Sequence, residues 1–211
     1  MKIKILRHSE RYDYKYPHRW IFYLGHYWAD THLTYEGRKM AASKAKAIKN
    51  SPFNAKWVYT SPYIRTMETA VEIKNVFNNC QLVIEPLLSE YQPYWRHNVS
   101  LYPCGIPTSH RGEPTEFNFP ETKEQHRKRI EYILNAIISN HKNDDELIIV
   151  THAEVVRTAC ELLNTKFPDL LLDATVLPYL GELSFEYDKS TDTFVEKSII
   201  TNFDNCDVKT I

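Results

Sequence analysis

The sequence predicts a three-layer α/β/α sandwich built on a mostly parallel β-sheet with an antiparallel edge strand. Short apolar, β-branched segments alternate with segments of helical period as far as about residue 164. Two further strand-like segments then follow each other across a turn, as in an antiparallel pair. Three strands stop abruptly on polar residues, and their carboxyl ends would share one edge of a parallel sheet. These polar endings are Arg7-His8, Thr60-Ser61 and Thr151-His152.

Length and composition favour a single domain over residues 1–211. The 211 residues are 43% hydrophobic and 25% charged, which suffices for one well-buried core. A formal charge of -1 supplies no global basic field, so we expect neither nucleic acid nor a membrane as a partner. The four cysteines are widely spaced without metal-ligand patterns, which is typical of reduced thiols. No signal-type segment and no run of about 18 apolar residues occurs, so we expect a cytoplasmic protein.

The first part of the chain contains a strand, an insertion and a helix. Residues 3–6 form the first strand, which leads directly into Arg7-His8. The aromatic and basic segment 12–32 has no clear period, so we expect an insertion near the site, formed by an ordered loop or short helices. Thr34 suits the N-cap of the helix that follows and that ends near residue 50.

The central part repeats the pattern of strand and helix. Trp57–Thr60 is the second strand, and Ser61-Pro62 is a start signal, with serine as cap and proline in the first turn. The helix is predicted to extend to about Asn78, carrying apolar residues at helical spacing. Residues 82–84 form the third strand.

The second half begins with another irregular segment. Residues 91–121 are rich in proline, glycine and aromatic residues, and we expect an insertion that forms a lid or pocket wall. A helix is predicted over Lys123–Asn140 from its apolar face. The last elements are a strand over 147–150, a helix over 154–164 and a strand pair over 181–187 and 193–200.

The residues at the strand ends suit a phosphoryl group. A neutral histidine such as His8 is a good nucleophile toward phosphorus, and the Arg7 guanidinium can hold two phosphoryl oxygens in a bidentate fork. Arg65 lies one turn beyond Ser61, where it and a helix amino terminus form an anion cradle. His152 precedes another helix, where a bound dianion would stabilise an imidazolium. Each residue alone also fits a structural role, so their convergence is what indicates a shared site.

Four blocks resemble the histidine phosphatase superfamily, also called phosphoglycerate mutase-like, in the correct order over nearly the whole chain. They are Leu6-Arg7-His8-Ser9-Glu10-Arg11, Leu33-Thr34-Tyr35-Glu36-Gly37, Thr60-Ser61-Pro62-Tyr63-Ile64-Arg65-Thr66-Met67-Glu68-Thr69-Ala70 and Val150-Thr151-His152-Ala153. The resemblance implies a phosphoglycerate mutase-like fold and transient phosphorylation of His8. By the same matching, Arg7, Arg65 and His152 would surround the phosphoryl group and stabilise its equatorial oxygens. No metal ion and no cofactor is implied.

The reaction also needs a proton donor for the leaving group. Glu90 resembles the acid of those branches in which it follows the third strand, and we take it as the catalytic acid. Glu10 and Asp13 are the alternatives, because the position of the acid varies across this family.

Two further segments resemble one branch of this superfamily in particular. Residues 7–13 and 177–181 are similar to the phosphatase domain of the suppressor of T-cell receptor signalling (Sts) proteins and to related steroid-phosphate phosphatases, in which the residue matching Arg11 also binds phosphate. The asparagine-rich and Glu-Arg-x-Tyr-Gly patterns of cofactor-dependent mutases are absent from the sequence. We therefore predict a metal-independent phosphomonoesterase acting through phosphohistidine, with a phosphoglycerate mutase as the first alternative.

A catalytically weak phosphate-binding protein is the second alternative. Ser9 stands where the family has glycine, and glycine there would permit a special backbone angle or close approach of the substrate. The expected partner is a phosphorylated small molecule or phosphotyrosine, and a homodimer stays open. Aromatic residues of the insertions either line a pocket for such a substrate or, more commonly, pack the irregular segments. They are Tyr12, Tyr14, Tyr16, Trp20, Tyr91, Tyr94 and Trp95.

Overall fold

The computed structural model describes residues 1–21, 30–77, 79–92, 120–166 and 177–200, and within them six strands form one sheet. The strands are β1 (Lys2–Arg7), β2 (Trp57–Thr60), β3 (Gln81–Ile84), β4 (Glu146–Thr151), β5 (Glu182–Asp188) and β6 (Thr193–Ile200). The order across the sheet is β3-β2-β4-β1-β5-β6. Strands β1 to β4 are parallel, whereas β5 runs antiparallel to both β1 and β6. The predicted sheet is therefore confirmed, and the β5–β6 pair forms its antiparallel edge.

Helices cover both faces of this sheet, as the predicted three-layer architecture requires. Strand side chains alternate between the two faces, so neighbouring residues of one strand enter different cores. The helices are α1 (Tyr12–Lys15), α2 (Pro17–Ile21), α3 (Tyr35–Lys49), α4 (Ile64–Lys74), α5 (Lys123–Asn140) and α6 (Ala153–Lys166), with a 3₁₀ turn at Pro86–Leu88. Ile5 packs in a core with Ile133 of α5 and Val156 of α6. Leu6 belongs to a second core, which includes Ile73 of α4 and the buried side of α3.

The register of the parallel strands brings their polar endings together. Arg7 lies opposite Thr151 in the β1–β4 pair. Beyond the strands, the His8 amide donates to the Thr151 carbonyl at 2.9 Å, and the Ser61 amide donates to the Val150 carbonyl at 3.1 Å. The segments that follow β1, β2 and β4 therefore start side by side at the carboxyl edge of the sheet.

Helix α4 begins later than the sequence predicts. Ser61 was expected to cap the helix, but the first helical residue is Ile64 and the Ser61 hydroxyl lies 2.8 Å from Nε2 of His152. A carboxylate replaces the serine cap, since the Ile64 amide donates to Oδ1 of Asp30 at 2.9 Å. The prediction of the helix start was wrong because Ser61 has a partner in a distant segment.

The far end of α4 also differs from its prediction. The helix ends at Lys74, where the sequence suggested about Asn78, a residue that lies outside the described ones. The start of α3 agrees with its prediction, because the Thr34 side chain accepts the Gly37 amide at 2.8 Å as an N-cap.

The first insertion contains the short helices α1 and α2. The Tyr12 ring packs against the rings of Tyr16, Trp20 and His32, and Trp20 also contacts His32, so these aromatic residues pack the insertion. Tyr14 is instead exposed. Segment 93–119 of the second insertion, with Tyr94 and Trp95, lies outside the described residues, so the predicted lid or pocket wall and the single-domain boundary stay predictions. No helix in the described segments is long and apolar enough to cross a membrane.

Candidate active site

His8 directly follows β1 and is almost completely buried, with 2% of its surface exposed. Its Nδ1 lies 2.8 Å from the Ser9 carbonyl oxygen. Because a carbonyl only accepts, Nδ1 carries the proton and Nε2 keeps its lone pair. Burial lowers the pKa of His8 well below 6.5, and the neighbouring charge of Arg65 lowers it further. The imidazole is therefore held neutral, in the form that can attack an electrophile.

His152 follows β4 and faces His8, with 5.6 Å between the ring centroids and an interplanar angle of 66°. An Arg65 Nη2–H donates to Nδ1 of His152 at 3.2 Å, which makes this ring nitrogen an acceptor. Nε2 then donates to the Ser61 hydroxyl. Burial lowers the pKa of His152 well below 6.5, with further lowering by Arg65 and by His8. The structure thus brings together two neutral histidines that are 144 positions apart in the chain.

Arg65 and Arg7 surround this pair with N–H donors. Arg65 is fully buried, and its Nη2 donates to Oε2 of Glu90. Arg7 donates from Nη1 to the Leu177 carbonyl at 2.5 Å. Nε and Nη1 of Arg65 and Nε of Arg7 are buried without a hydrogen-bond partner in the described part of the chain. Burial also lowers the pKa of both arginines. Desolvated guanidinium groups with unused donors are what an anion site requires.

Arg11 and Tyr179 lie at the same site, and sequence reasoning assigned no role to Tyr179. The Arg7 guanidinium stacks on the Tyr179 ring at 4.5 Å, and that ring lies 5.9 Å from the His8 ring. Burial raises the pKa of the Tyr179 hydroxyl, against the opposing effects of Arg7 and Arg11. The Arg11 side chain pairs with Asp13 at 2.6 Å and stacks on the Tyr14 ring at 4.2 Å. Tyr179 therefore contacts the Arg7 side chain and lies near Arg11.

Two carboxylates contact Arg65. Glu90, shortly after the 3₁₀ turn that follows β3, pairs with Arg65 and lies 3.9 Å from Nδ1 of His152. Asp30, which sequence analysis did not single out, lies 3.5 Å from Nη1 of Arg65. The two alternative acids have other partners: Glu10 binds the Thr34 hydroxyl at 2.7 Å, and Asp13 binds Arg11. No group of three or more His, Cys, Asp or Glu side chains in the described residues is arranged to hold a metal ion.

Ser9 fits its position without backbone strain. Among the described non-glycine residues, positive φ occurs at Asn79, Leu180 and Asp192, and Ser9 is not one of them. Its hydroxyl donates to the Gly37 carbonyl at 2.6 Å, and its amide donates to Thr69 Oγ1 at 3.1 Å. The backbone angle that would favour glycine after His8 is therefore not used here.

Glycine is instead needed at Gly37, in the first turn of α3. A Cβ atom there would lie 2.6 Å from the Glu10 carbonyl oxygen. The Glu10 carbonyl also accepts the Thr34 amide at 3.0 Å, so the segment after His8 is fixed against the start of α3. The close approach of Glu10 to this helix explains why glycine occupies the position.

Asp30 predicts a pH-dependent stability that can be measured. Burial raises its pKa from 3.8 to about 6, against the opposing effects of Arg65 and the Ile64 amide. As the pH rises between these values, the unfolded chain releases a proton that the folded protein retains, so folded stability falls. Asp30→Asn keeps an acceptor for the Ile64 amide but cannot ionise. We expect the variant to gain on the order of 2 to 3 kcal/mol relative to the parent protein from about pH 4 to about pH 7.

Urea unfolding of both proteins across this pH range tests the expectation. His8 and His152 titrate in both proteins, so their contributions cancel in the difference. Parallel pH profiles of the unfolding free energy would contradict a raised pKa at Asp30.

The chain is similar to known proteins along nearly its whole length. The sequence model of the histidine phosphatase superfamily (branch 1) matches residues 5–198. An uncharacterized phosphoglycerate mutase family protein of Acanthamoeba polyphaga mimivirus is 51% identical over 205 residues, covering 97% of this chain and 100% of that protein. The crystal structure of ecdysone phosphate phosphatase from Bombyx mori, in complex with tungstate, matches with a TM-score of 0.72 at 19% identity, covering 92% of each chain.

A second solved structure has a similar extent of overlap. Phosphoserine phosphatase from Entamoeba histolytica, in complex with 3-phosphoglyceric acid, matches with a TM-score of 0.60 at 18% identity. The match covers 96% of this chain and 98% of that one. At such low identity, the two solved structures show a shared fold.

Proposed function

The chain belongs to branch 1 of the histidine phosphatase superfamily, and we propose that it hydrolyses phosphate monoesters without a metal ion, through a covalent phosphohistidine at His8. Membership supports a phosphatase or mutase type of activity. The observation that carries the finer assignment is the neutral His8 imidazole beside buried, unused N–H donors of Arg7 and Arg65. A nucleophile and an anion cradle at one point are the minimum that phosphoryl transfer needs.

In the first step, Nε2 of His8 attacks phosphorus and the ester P–O bond breaks. Arg7, Arg65 and His152 stabilise the charge on the three non-bridging oxygens, and Arg11 adds a positive charge at the same edge. Nδ1 of His152 accepts a hydrogen bond from Arg65, so it takes up a proton when the dianion binds, and then donates to a phosphoryl oxygen. The low pKa of His152 makes this proton uptake part of substrate binding.

The leaving oxygen receives its proton from Glu90. Glu90 retains 25% side-chain exposure and can exchange protons with solvent, whereas Asp30 is 2% exposed and caps α4. In the second step, water attacks the phosphohistidine, Glu90 takes the proton from that water, and the N–P bond breaks. The electron pair returns to Nε2, which restores the neutral histidine and releases inorganic phosphate.

The substrate class is a phosphorylated small molecule or a phosphotyrosine. Fold relatives are named as phosphatases of an ecdysone phosphate and of phosphoserine, which supports hydrolysis of a phosphomonoester. Exposed Tyr14 and half-buried Tyr179 flank Arg11 and Arg7 and are available to a leaving group beside the phosphoryl site.

Turnover of p-nitrophenyl phosphate in the presence of EDTA is the experiment that tests this function. We expect release of inorganic phosphate at a rate unchanged by EDTA. In a parallel reaction with 3-phosphoglycerate, with and without bisphosphoglycerate, we expect no isomerisation. Isomerisation would favour a phosphoglycerate mutase, and binding of vanadate without any turnover would favour a catalytically weak phosphate-binding protein.

A further inference from the structure

A second buried ionic cluster lies at the start of α5. Arg129 is fully buried and makes a bidentate pair with Glu121, with distances of 2.9 Å from Nε and 2.5 Å from Nη2. Nδ1 of His126 lies 3.2 Å from the same carboxylate and 2.8 Å from Nη2 of Arg129. Arg129 occupies a position four residues before Ile133, on the apolar face of the helix. A charge on that face calls for a reason other than core packing.

Arg129 and Thr151 fix three consecutive carbonyl groups immediately before Glu90. Nη1 of Arg129 donates to the Leu87 carbonyl at 2.5 Å and to the Ser89 carbonyl at 3.0 Å. The Thr151 hydroxyl donates to the Leu88 carbonyl between them at 2.7 Å. The backbone that delivers Glu90 to Arg65 is therefore held from α5 and from the end of β4.

The same cluster also fixes the residues that follow Glu90. The Glu121 amide donates to the Gln92 carbonyl at 2.9 Å, and the Gln92 amide donates to Oε1 of Glu121 at 3.4 Å. Through its pair with Glu121, Arg129 thus restrains the chain on both sides of Glu90. Buried ion pairs are often no better for stability than apolar residues of similar size, so stability alone does not account for this arrangement.

We propose that Arg129 is a positioning residue for Glu90, which it holds in place through the Leu87 and Ser89 carbonyls and the Glu121–Gln92 pair. The inference rests on the proposed function, in which Glu90 protonates the leaving group. A displaced acid slows substrates whose leaving groups need protonation and has little effect on those that do not. A residue that only supports folding would slow all substrates alike.

The test compares kcat/KM for p-nitrophenyl phosphate, phenyl phosphate and an alkyl phosphate, because this constant covers the steps up to alcohol release. We expect Arg129→Lys to lose about 10- to 100-fold on the alkyl phosphate and less than about 3-fold on p-nitrophenyl phosphate. Lysine keeps the charge but cannot bond two carbonyls and a carboxylate as the guanidinium does. Arg129→Met is expected to show the same dependence on the leaving group.

Three further variants make the result specific. Glu90→Gln should reproduce the same leaving-group dependence, and adding Arg129→Lys to it should cause no further loss. Thr151→Val removes the bond to the Leu88 carbonyl at nearly constant volume, and it should show a smaller loss of the same kind even if Arg129→Met does not fold. Lys128→Met, on the exposed face of the same helix, is the matched control and should behave like the parent protein.

Equal losses on all three substrates, additive losses in the double variant, or wild-type rates in Arg129→Lys would overturn the proposal. A crystal structure of Arg129→Lys tests it without turnover: Glu90 should have left Arg65 while the His8–His152 pair is unchanged. If the parent protein hydrolyses none of the substrates, the proposed function fails, and this structure still decides whether Arg129 positions Glu90.

Discussion

Replacing His8 with asparagine is expected to abolish the phosphoenzyme and to lower turnover by about 10⁶-fold, the order seen when a serine hydrolase loses its nucleophile. Asparagine can keep the hydrogen bond that Nδ1 of His8 makes to the Ser9 carbonyl, but it offers no nitrogen lone pair to phosphorus. The measurement is rapid quench with a radiolabelled substrate, followed by alkaline recovery of the labelled protein, because phosphohistidine is labile in acid. In the parent protein, labelled His8 should form before inorganic phosphate appears.

A matched histidine separates this effect from loss of stability. His141 is also buried and lies 2.8 Å from the Tyr59 hydroxyl, just before β4 and outside the site. His141→Asn is expected to unfold more easily and yet to form the phosphoenzyme normally. Labelled protein persisting in His8→Asn, or label on another residue, would refute His8 as the nucleophile.

The site residues that could be predicted from the sequence are those whose positions follow from the strand topology. Arg7 ends β1, His8 and His152 directly follow β1 and β4, and parallel strands end at one edge whatever their separation along the chain. Arg65 lies close to the end of β2 in sequence, which leaves few places for its side chain, although it is the second residue of α4 and does not lie one turn into the helix. The convergence could therefore be predicted before the structure, although the hydrogen bonds between these side chains could not.

Other residues of the site carry no local signal. Asp30 follows a segment without periodicity, and only the fold brings its carboxylate to the start of α4. Tyr179 belongs to residues 177–181, which the sequence analysis matched to one branch of the family. Its stacking on Arg7, however, depends on how the segment before β5 lies beside the end of β1. Arg129 did leave a signal, since a charged residue at an apolar helical position is unusual. The prediction of α5 rested on its apolar residues alone and did not include Arg129.

The predicted start of α4 was wrong for a related reason. Ser61-Pro62 is a sound local start signal, but the serine hydroxyl is used by His152, which lies 91 positions further along the chain. A long-range hydrogen bond in the site thus outweighs the local preference for a serine cap. At Ser9, the structure removes one of the two reasons for which glycine was expected, because Ser9 does not adopt a positive φ, and the close approach of a substrate is the reason that is left.

Arg65→Met is expected to lower kcat/KM by about 10³-fold and to weaken the binding of tungstate or vanadate strongly. The guanidinium supplies donors to the phosphoryl oxygens at a buried point, where each is worth more than in water. Nε of Arg65 has no hydrogen-bond partner among the described residues, whereas Nη2 pairs with Glu90 and Nη1 lies 3.5 Å from Asp30. Removing the guanidinium leaves these two carboxylates without their cation, so we also expect a lower free energy of unfolding. Steady-state kinetics, anion titration and urea unfolding measure the three quantities.

Two further variants serve as comparisons for Arg65→Met. Arg65→Lys restores the charge without the planar fork, so we expect a loss of about 10²-fold, intermediate between parent and Arg65→Met. Arg38→Met removes the half-exposed arginine that pairs with Glu68 on the neighbouring helix, and we expect it to change neither kinetics nor anion binding. A loss of stability in Arg65→Met without any loss of activity in the folded protein would make Arg65 only a structural partner of Glu90 and Asp30. Retained anion affinity in that variant would remove Arg65 from the phosphoryl site altogether.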